Sequence, residues 1–346
     1  MNESPKVPRY SKALHRLAVV LTIAVFPLIW VGGLVTTYDA GMAVPDWPGT
    51  YGWNMFAYPA TTWLFGPFDL LVEHSHRLLG ALAGFLCIGL VIIAWRVEYR
   101  RWFQFWTVAL LAAVIIQGGL GGARVVLDER TIAMIHGCTG PLFFAMATAT
   151  AVMSSRWWIE LGQESRRETE STPRPINSKL VVLATLLAIA AYMQLIVGAQ
   201  LRHLTGAVAP KLFTAFVHSH LTLAGLVLLL AVIVAALSWL GRFVPASVYR
   251  PSGLLALLVL VQIALGLGTW VVNYAVPWEA INQQIAHYTI LAKGFWESLI
   301  VTAHVATGSL IISLSVVIAL RTWRFASVGT SQAQNKDAIH AAASQA

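Results

Sequence analysis

The chain has 346 residues, 58% of them hydrophobic and only 11% charged, with a net charge of +8 and a mean hydropathy of +0.70. A soluble domain carries about 25% charged residues. This composition excludes a water-soluble enzyme, a disordered chain and a nucleic-acid binder, the last because Lys and Arg stand in short runs between long apolar stretches.

A membrane span needs roughly 20 mostly apolar residues. Eight stretches qualify, at about 17–37, 71–95, 104–122, 131–153, 179–200, 212–240, 253–274 and 298–320. Lipid offers backbone groups no partner, so helices are expected, and the fold class is an all-α membrane protein with eight transmembrane helices. Residues 1–16 form an N-terminal segment. The first span runs from Leu17 to Thr37 and ends in Gly32-Gly33-Leu34-Val35. It lacks a small-residue cleavage site and reads as a span rather than a signal peptide. No basic, serine-rich leader precedes Leu17, which favours a bacterial plasma membrane over a mitochondrial inner membrane. The following loop holds Pro45-Asp46-Trp47-Pro48, and the second span opens with Glu73-His74-Ser75-His76-Arg77. Gln117, Gly121 and Arg124 mark the third span, and His136 the fourth. Residues 156–178 are polar and Glu-rich, a linker between two halves at 17–155 and 179–322. The fifth span carries Gln194, Gly198 and Arg202, the sixth His218-Ser219-His220, the seventh Gln262 and Gly266, and the eighth His304. Residues 323–346 read as a disordered tail. Cys87 and Cys138, the only cysteines, lie in apolar runs and provide neither a disulfide framework nor a zinc cluster. Seventeen Lys and Arg fall on the side of the termini and six on the other, which places both termini in the cytoplasm.

An internal repeat emerges from these elements. His76, His136, His220 and His304 each stand near the start of an even-numbered span, with small residues or Pro at the fourth and fifth positions after the histidine and Leu at the sixth. In three odd-numbered spans a Gln precedes a Gly by four residues; the first span keeps only the glycines. The chain therefore reads as four related helical hairpins, paired into two pseudo-symmetric four-helix bundles. Ionisable side chains inside a membrane are costly and face a site or a cavity. A histidine bonded between helices is the alternative for any one of them, but four in register point to metal. Two imidazoles facing each other across a four-helix bundle suit the axial positions of a haem iron. The small residues one turn further in would leave room for a flat macrocycle. In the sixth span, His218 remains an alternative to His220. His15, His203, His287 and His340 fall in loops or tails.

The repeat is broken at one position. Glu73 precedes His76 by three residues and shares its helix face, whereas the equivalent positions are Ala133, Val217 and Val301. Either Glu73 is an interfacial acid bonded to Arg77 or the neighbouring loop, or it is a carboxylate beside a porphyrin edge. Arg77, Arg124 and Arg202 end their spans where guanidinium forks could hold haem propionates, although snorkelling to the interface would put Arg in the same places.

Taken together, Gly32-Gly33-Leu34-Val35, the Pro45-Asp46-Trp47-Pro48 loop, Glu73-x-x-His76-Arg77, the Gln117 to Gly122 run with Arg124 and Val125, and His136-Gly137 resemble the haem A synthase family. The likeness spans about residues 15–322 and is strongest in the first half. Some bacterial members carry a cysteine pair in an outer loop, and no cysteine stands there in this chain. The resemblance implies oxidation of a methyl group of haem O to the formyl group of haem A in two water-derived hydroxylations. Glu73 would be the catalytic residue, His76 and His136 would hold the substrate, and His220 and His304 a resident haem b. Arg77, Arg124 and Arg202 would bind propionates, and Asp46 and Trp47 would belong to a substrate loop. It also implies a haem O synthase and an electron acceptor as partners, with the oligomeric state, a homo-oligomer included, left open. Two rival readings remain: a di-haem electron-transfer protein that performs no chemistry on haem, and a membrane transporter.

Overall fold

In the computed structural model, residues 9–164, 176–203, 209–241, 243–274 and 294–343 are described. Eight of the helices among them are long and apolar enough to cross a membrane. They are α1 (Lys12–Thr37), α3 (Phe68–Val97), α4 (Arg101–Leu127), α5 (Arg130–Met153), α7 (Ser178–His203), α8 (Pro210–Leu240), α9 (Ala246–Tyr274) and α10 (Phe295–Ala343). Two short helices, α2 (Ala60–Leu64) and α6 (Arg156–Glu164), lie between them. Each span extends a few residues past its apolar stretch, because a helix continues into polar residues wherever backbone partners remain. The seventh starts at Ala246 rather than near 253 and runs through Pro251, with Ser252 Oγ bonded to the Val248 carbonyl at 2.8 Å.

The helices close into two rings of four. In the first, α1 packs on α3, α3 on α4, α4 on α5 and α5 on α1; in the second, α7, α8, α9 and α10 close in the same order. The rings meet where α10 touches α5 and α1 and where α5 touches α7. Exchanging the two sets of helices carries one of these seam contacts into another, a pattern consistent with two pseudo-symmetric bundles.

Apolar packing is concentrated at the end of each bundle nearer the chain termini. Leu21, Leu90, Phe103 and Leu110 are fully buried in the first, and Leu187, Val234, Leu255 and Ile318 in the second. The histidines stand at the opposite end, where glycines line the helices.

Two expectations change at the terminal end. The linker after residue 155 is not wholly polar: α6 buries Trp158, Ile159 and Leu161 across the seam. Arg324 donates to the Trp158 carbonyl at 3.1 Å with its guanidinium over that indole. The last helix does not stop near 322 but continues through Ala343, with Phe325 and Val328 buried against the second bundle. As far as Val328, both extensions bury apolar side chains that recur at helical spacing in segments too short or too polar to read as spans.

Candidate functional site

Each histidine of the repeat lies on a glycine of the preceding long helix. A Cβ at Gly32 would stand 2.7 Å from the His76 ring, and one at Gly121, Gly198 or Gly266 would stand 3.2, 3.0 or 3.0 Å from the rings of His136, His220 and His304. Glycine is required here because the ring occupies the space a side chain would fill. The close approach lets three rings reach a main-chain carbonyl one turn earlier. Nδ1 of His76 meets the Leu28 carbonyl at 3.2 Å, that of His136 the Gln117 carbonyl at 3.1 Å, and that of His304 the Gln262 carbonyl at 3.2 Å. A carbonyl can only accept, so Nδ1 carries the proton and Nε2 keeps its lone pair for a metal. His220 instead meets the side-chain amide of Gln194.

The rings then face each other in pairs. His76 and His136 have centroids 6.2 Å apart, and His220 and His304 6.4 Å apart. A metal–imidazole bond of about 2.0 Å plus roughly 1.1 Å from nitrogen to ring centre puts two imidazoles on opposite sides of one ion about 6.2 Å apart. Both pairs fit a haem iron by this measure. Among the described residues no three His, Cys, Asp or Glu side chains gather as a metal site, so each pair offers two donors and no more. His218 is exposed, whereas His220 faces His304 across the second bundle.

The small residues after the histidines divide into two kinds. Gly80 and Gly225 border open space, but Gly140 and Gly308 take the side-chain amides of Gln117 and Gln262. The expectation that these residues all leave room for a macrocycle holds only for the former. In the first bundle the Gln117 amide donates to the His136 carbonyl at 2.8 Å and accepts from Thr139 at 2.6 Å, bracing the turn that carries the ligand.

Glu73 is buried, and both carboxylate oxygens are engaged: Oε2 accepts the Val44 N–H at 2.8 Å, and Oε1 pairs with Arg77 at 2.7 Å. Arg77 also donates to the carbonyls of Val44, Asp46 and Gly49 at 2.7 to 2.8 Å. Its expected place at a propionate therefore gives way to a clamp on the loop, because three loop carbonyls turn toward it. The loop between α1 and α3 becomes a cap over the first bundle.

Asp46 holds that cap together from within, accepting the N–H groups of Tyr51 at 2.7 Å and Gly52 at 2.9 Å. Partial burial pushes its carboxyl upward, but those N–H groups and the Arg77 charge outweigh it and hold Asp46 below the usual carboxylate range. Trp47 seats its indole directly on Gly122 of α4, next to the glycine under His136. Tyr51 donates its hydroxyl to the Ala43 carbonyl.

The remaining arginines differ. Arg124 packs on Gly41 in the cap's 3-10 turn (Ala40–Met42) and makes no hydrogen bond to a described residue, so its charge is available to an anion. Arg202 crosses the seam and donates to the Gly33 carbonyl at 3.0 Å and Thr37 Oγ1 at 2.7 Å, joining the bundles.

A sequence model of the family described as cytochrome oxidase assembly protein matches residues 15–293. This chain belongs to that family. Over 201 residues it is 25% identical to the heme A synthase of Shouchella clausii, covering 57% of this chain and 62% of that protein. The heme A synthase of Bacillus licheniformis is 31% identical over 126 residues, 36% of this chain and 39% of the relative. That of Exiguobacterium sp. is 24% identical over 278 residues, 75% and 84% respectively. The matches thus span less than two thirds of the first two relatives' lengths. The family match takes in the cap, Glu73, His76, His136 and His220 but ends short of His304.

Other histidines lie away from the two facing pairs. His74 is buried under the cap, its Nδ1 3.2 Å from Thr50 Oγ1, with the Trp63 and Tyr58 rings 4.8 and 5.4 Å away. The available signal was its His-x-His spacing, which turns it away from the bundle axis. His15 is not in a loop but in the first turn of α1, bonded to Ser154 at 3.2 Å. His287 lies outside the described residues.

Proposed function

We propose that this protein is a haem A synthase, an oxidoreductase that converts one methyl group of haem O into the formyl group of haem A. One observation carries this reading: of two equivalent histidine pairs, only that of the first bundle has a carboxylate, Glu73, one turn before a ligand. In this account His76 and His136 hold the substrate and His220 and His304 a resident haem b. Haem b, when bound, supplies a one-electron relay toward an external acceptor.

The reaction balances as two oxidations. Each breaks one C–H bond, taking one proton and two electrons from the carbon, and forms one C–O bond to a water that gives up the second proton; the electrons pass to an external acceptor, and the geminal diol loses water to give the aldehyde. Glu73 presents negative charge where positive charge develops at that carbon, and Arg77 fixes its direction. The cap, drawn down by Arg77 and seated through Trp47 on Gly122, restricts water at that end to what the reaction consumes. Arg124 offers a cation for a propionate.

The protein sits in a bacterial plasma membrane with both termini cytoplasmic, fed by a haem O synthase. The test is co-expression with a haem O synthase in a host lacking haem A, followed by chromatography of extracted haem. A formyl haem is expected. Unchanged haem O rejects the assignment and favours a di-haem electron-transfer protein, the second reading, which the matched 6.2 and 6.4 Å spacings also support.

A further inference from the structure

Among the described residues, His220 is the one histidine of the four without a main-chain partner. The repeat would place the Gln194 carbonyl against its ring, as the carbonyls of Leu28, Gln117 and Gln262 stand against the others. Instead the side-chain amide of Gln194 fills that place, with Nε2 3.1 Å from Nδ1 and 3.3 Å from Nε2 of the imidazole, while its Oε1 is buried without a partner.

An amide, unlike a carbonyl, can present either a donor or an acceptor. With nitrogen toward the ring, Gln194 donates either to Nδ1, which leaves the proton on Nε2, or to Nε2 itself, which occupies its lone pair; in both cases Nε2 is not free for a metal. With oxygen toward the ring, Gln194 accepts from Nδ1–H, and the Nε2 lone pair is released. A half-turn of the amide therefore decides whether His220 can be a ligand.

We propose that Gln194 is a positioning residue that sets the ligating state of His220 and, through it, the electron affinity of the second-bundle iron. The proposal rests on the reading that this pair holds a haem. His76, His136 and His304 are fixed by carbonyls that no substitution removes, whereas His220 answers to a side chain and is the adjustable ligand of the four. A stronger acceptor at Nδ1 makes the imidazole a better donor and stabilises the oxidised iron.

The experiment uses the full-length protein purified from membranes, as wild type, Gln194→Glu and Gln194→Leu. Haem b content, the low-spin electron paramagnetic resonance signal and the midpoint potential are measured for each. Gln194→Glu, whose ionised carboxylate only accepts, is expected to keep its haem b and shift the potential downward. Gln194→Leu, which can do neither, is expected to shift it upward and alter the low-spin signal. Opposite shifts are the signature, since a merely structural role would move both variants the same way. Equal shifts, or none, overturn the proposal. If Gln194→Leu does not assemble, an unshifted Gln194→Glu overturns it alone. A wild-type protein without haem b would instead reject the functional reading beneath it.

Discussion

The Cε1 edge of the His76 imidazole stands against Gly32, so close that a methyl group there would meet Cε1 at 2.7 Å. The other three histidines repeat the contact at 3.0 to 3.2 Å. Gly32→Ala should therefore displace its ring most, at a cost of about 1–3 kcal/mol in overpacking, and Gly121→Ala least. Haem occupancy of each variant, read by absorption after purification, should fall in that order. Equal losses at all four positions would show that ring contact does not govern binding.

Glu73 and Arg77 form a buried pair, and removing one partner of such a pair costs about 3–5 kcal/mol. Glu73→Gln keeps an acceptor for the Val44 N–H but loses the charge, and haem A output should drop by about 10²–10⁴-fold. Arg77→Met leaves the charge and frees the cap, and should cost less output while exposing the cap to protease. Matching losses in the two variants would reduce Glu73 to a tether for the loop.

Trp47 and Gly122 meet as a latch between the cap and α4. Gly122→Ala should lift the indole and raise amide exchange in the cap, as should Trp47→Ala. The double variant should be no worse than either single one, because both break one contact. Additive effects would mean that the residues act separately.

Asp46 titrates below the usual carboxylate range in the folded cap. Its contribution is therefore complete above the ordinary aspartate value of about 3.9 and is lost as pH falls through the lower folded value. Trp47 fluorescence should stay constant from neutral pH down to about 4 and change only below that. Asp46→Asn should abolish this acid transition while leaving the spectrum at neutral pH nearly unchanged. A transition that persists in the variant would assign it to another group.

The spans and the four histidines that face each other in pairs were legible because lipid demands long apolar runs and makes each histidine within them conspicuous. Their partners were less so. A main-chain carbonyl such as that of Leu28 has no side-chain signature, and the glycines were readable as a repeat without showing that rings lie on them. Arg77 was misplaced for a related reason: sequence shows an arginine near a site but not that loop carbonyls already surround it. The short α6 and the extension of α10 past residue 322 escaped because neither is apolar enough to read as a span.

In the proposed function the two imidazole pairs hold two different haems. The direct measurement is haem chromatography of purified wild type, His76→Ala and His304→Ala. His76→Ala should lose haem O and haem A but keep haem b, and His304→Ala should lose haem b. Loss of the same haem from both variants would contradict it.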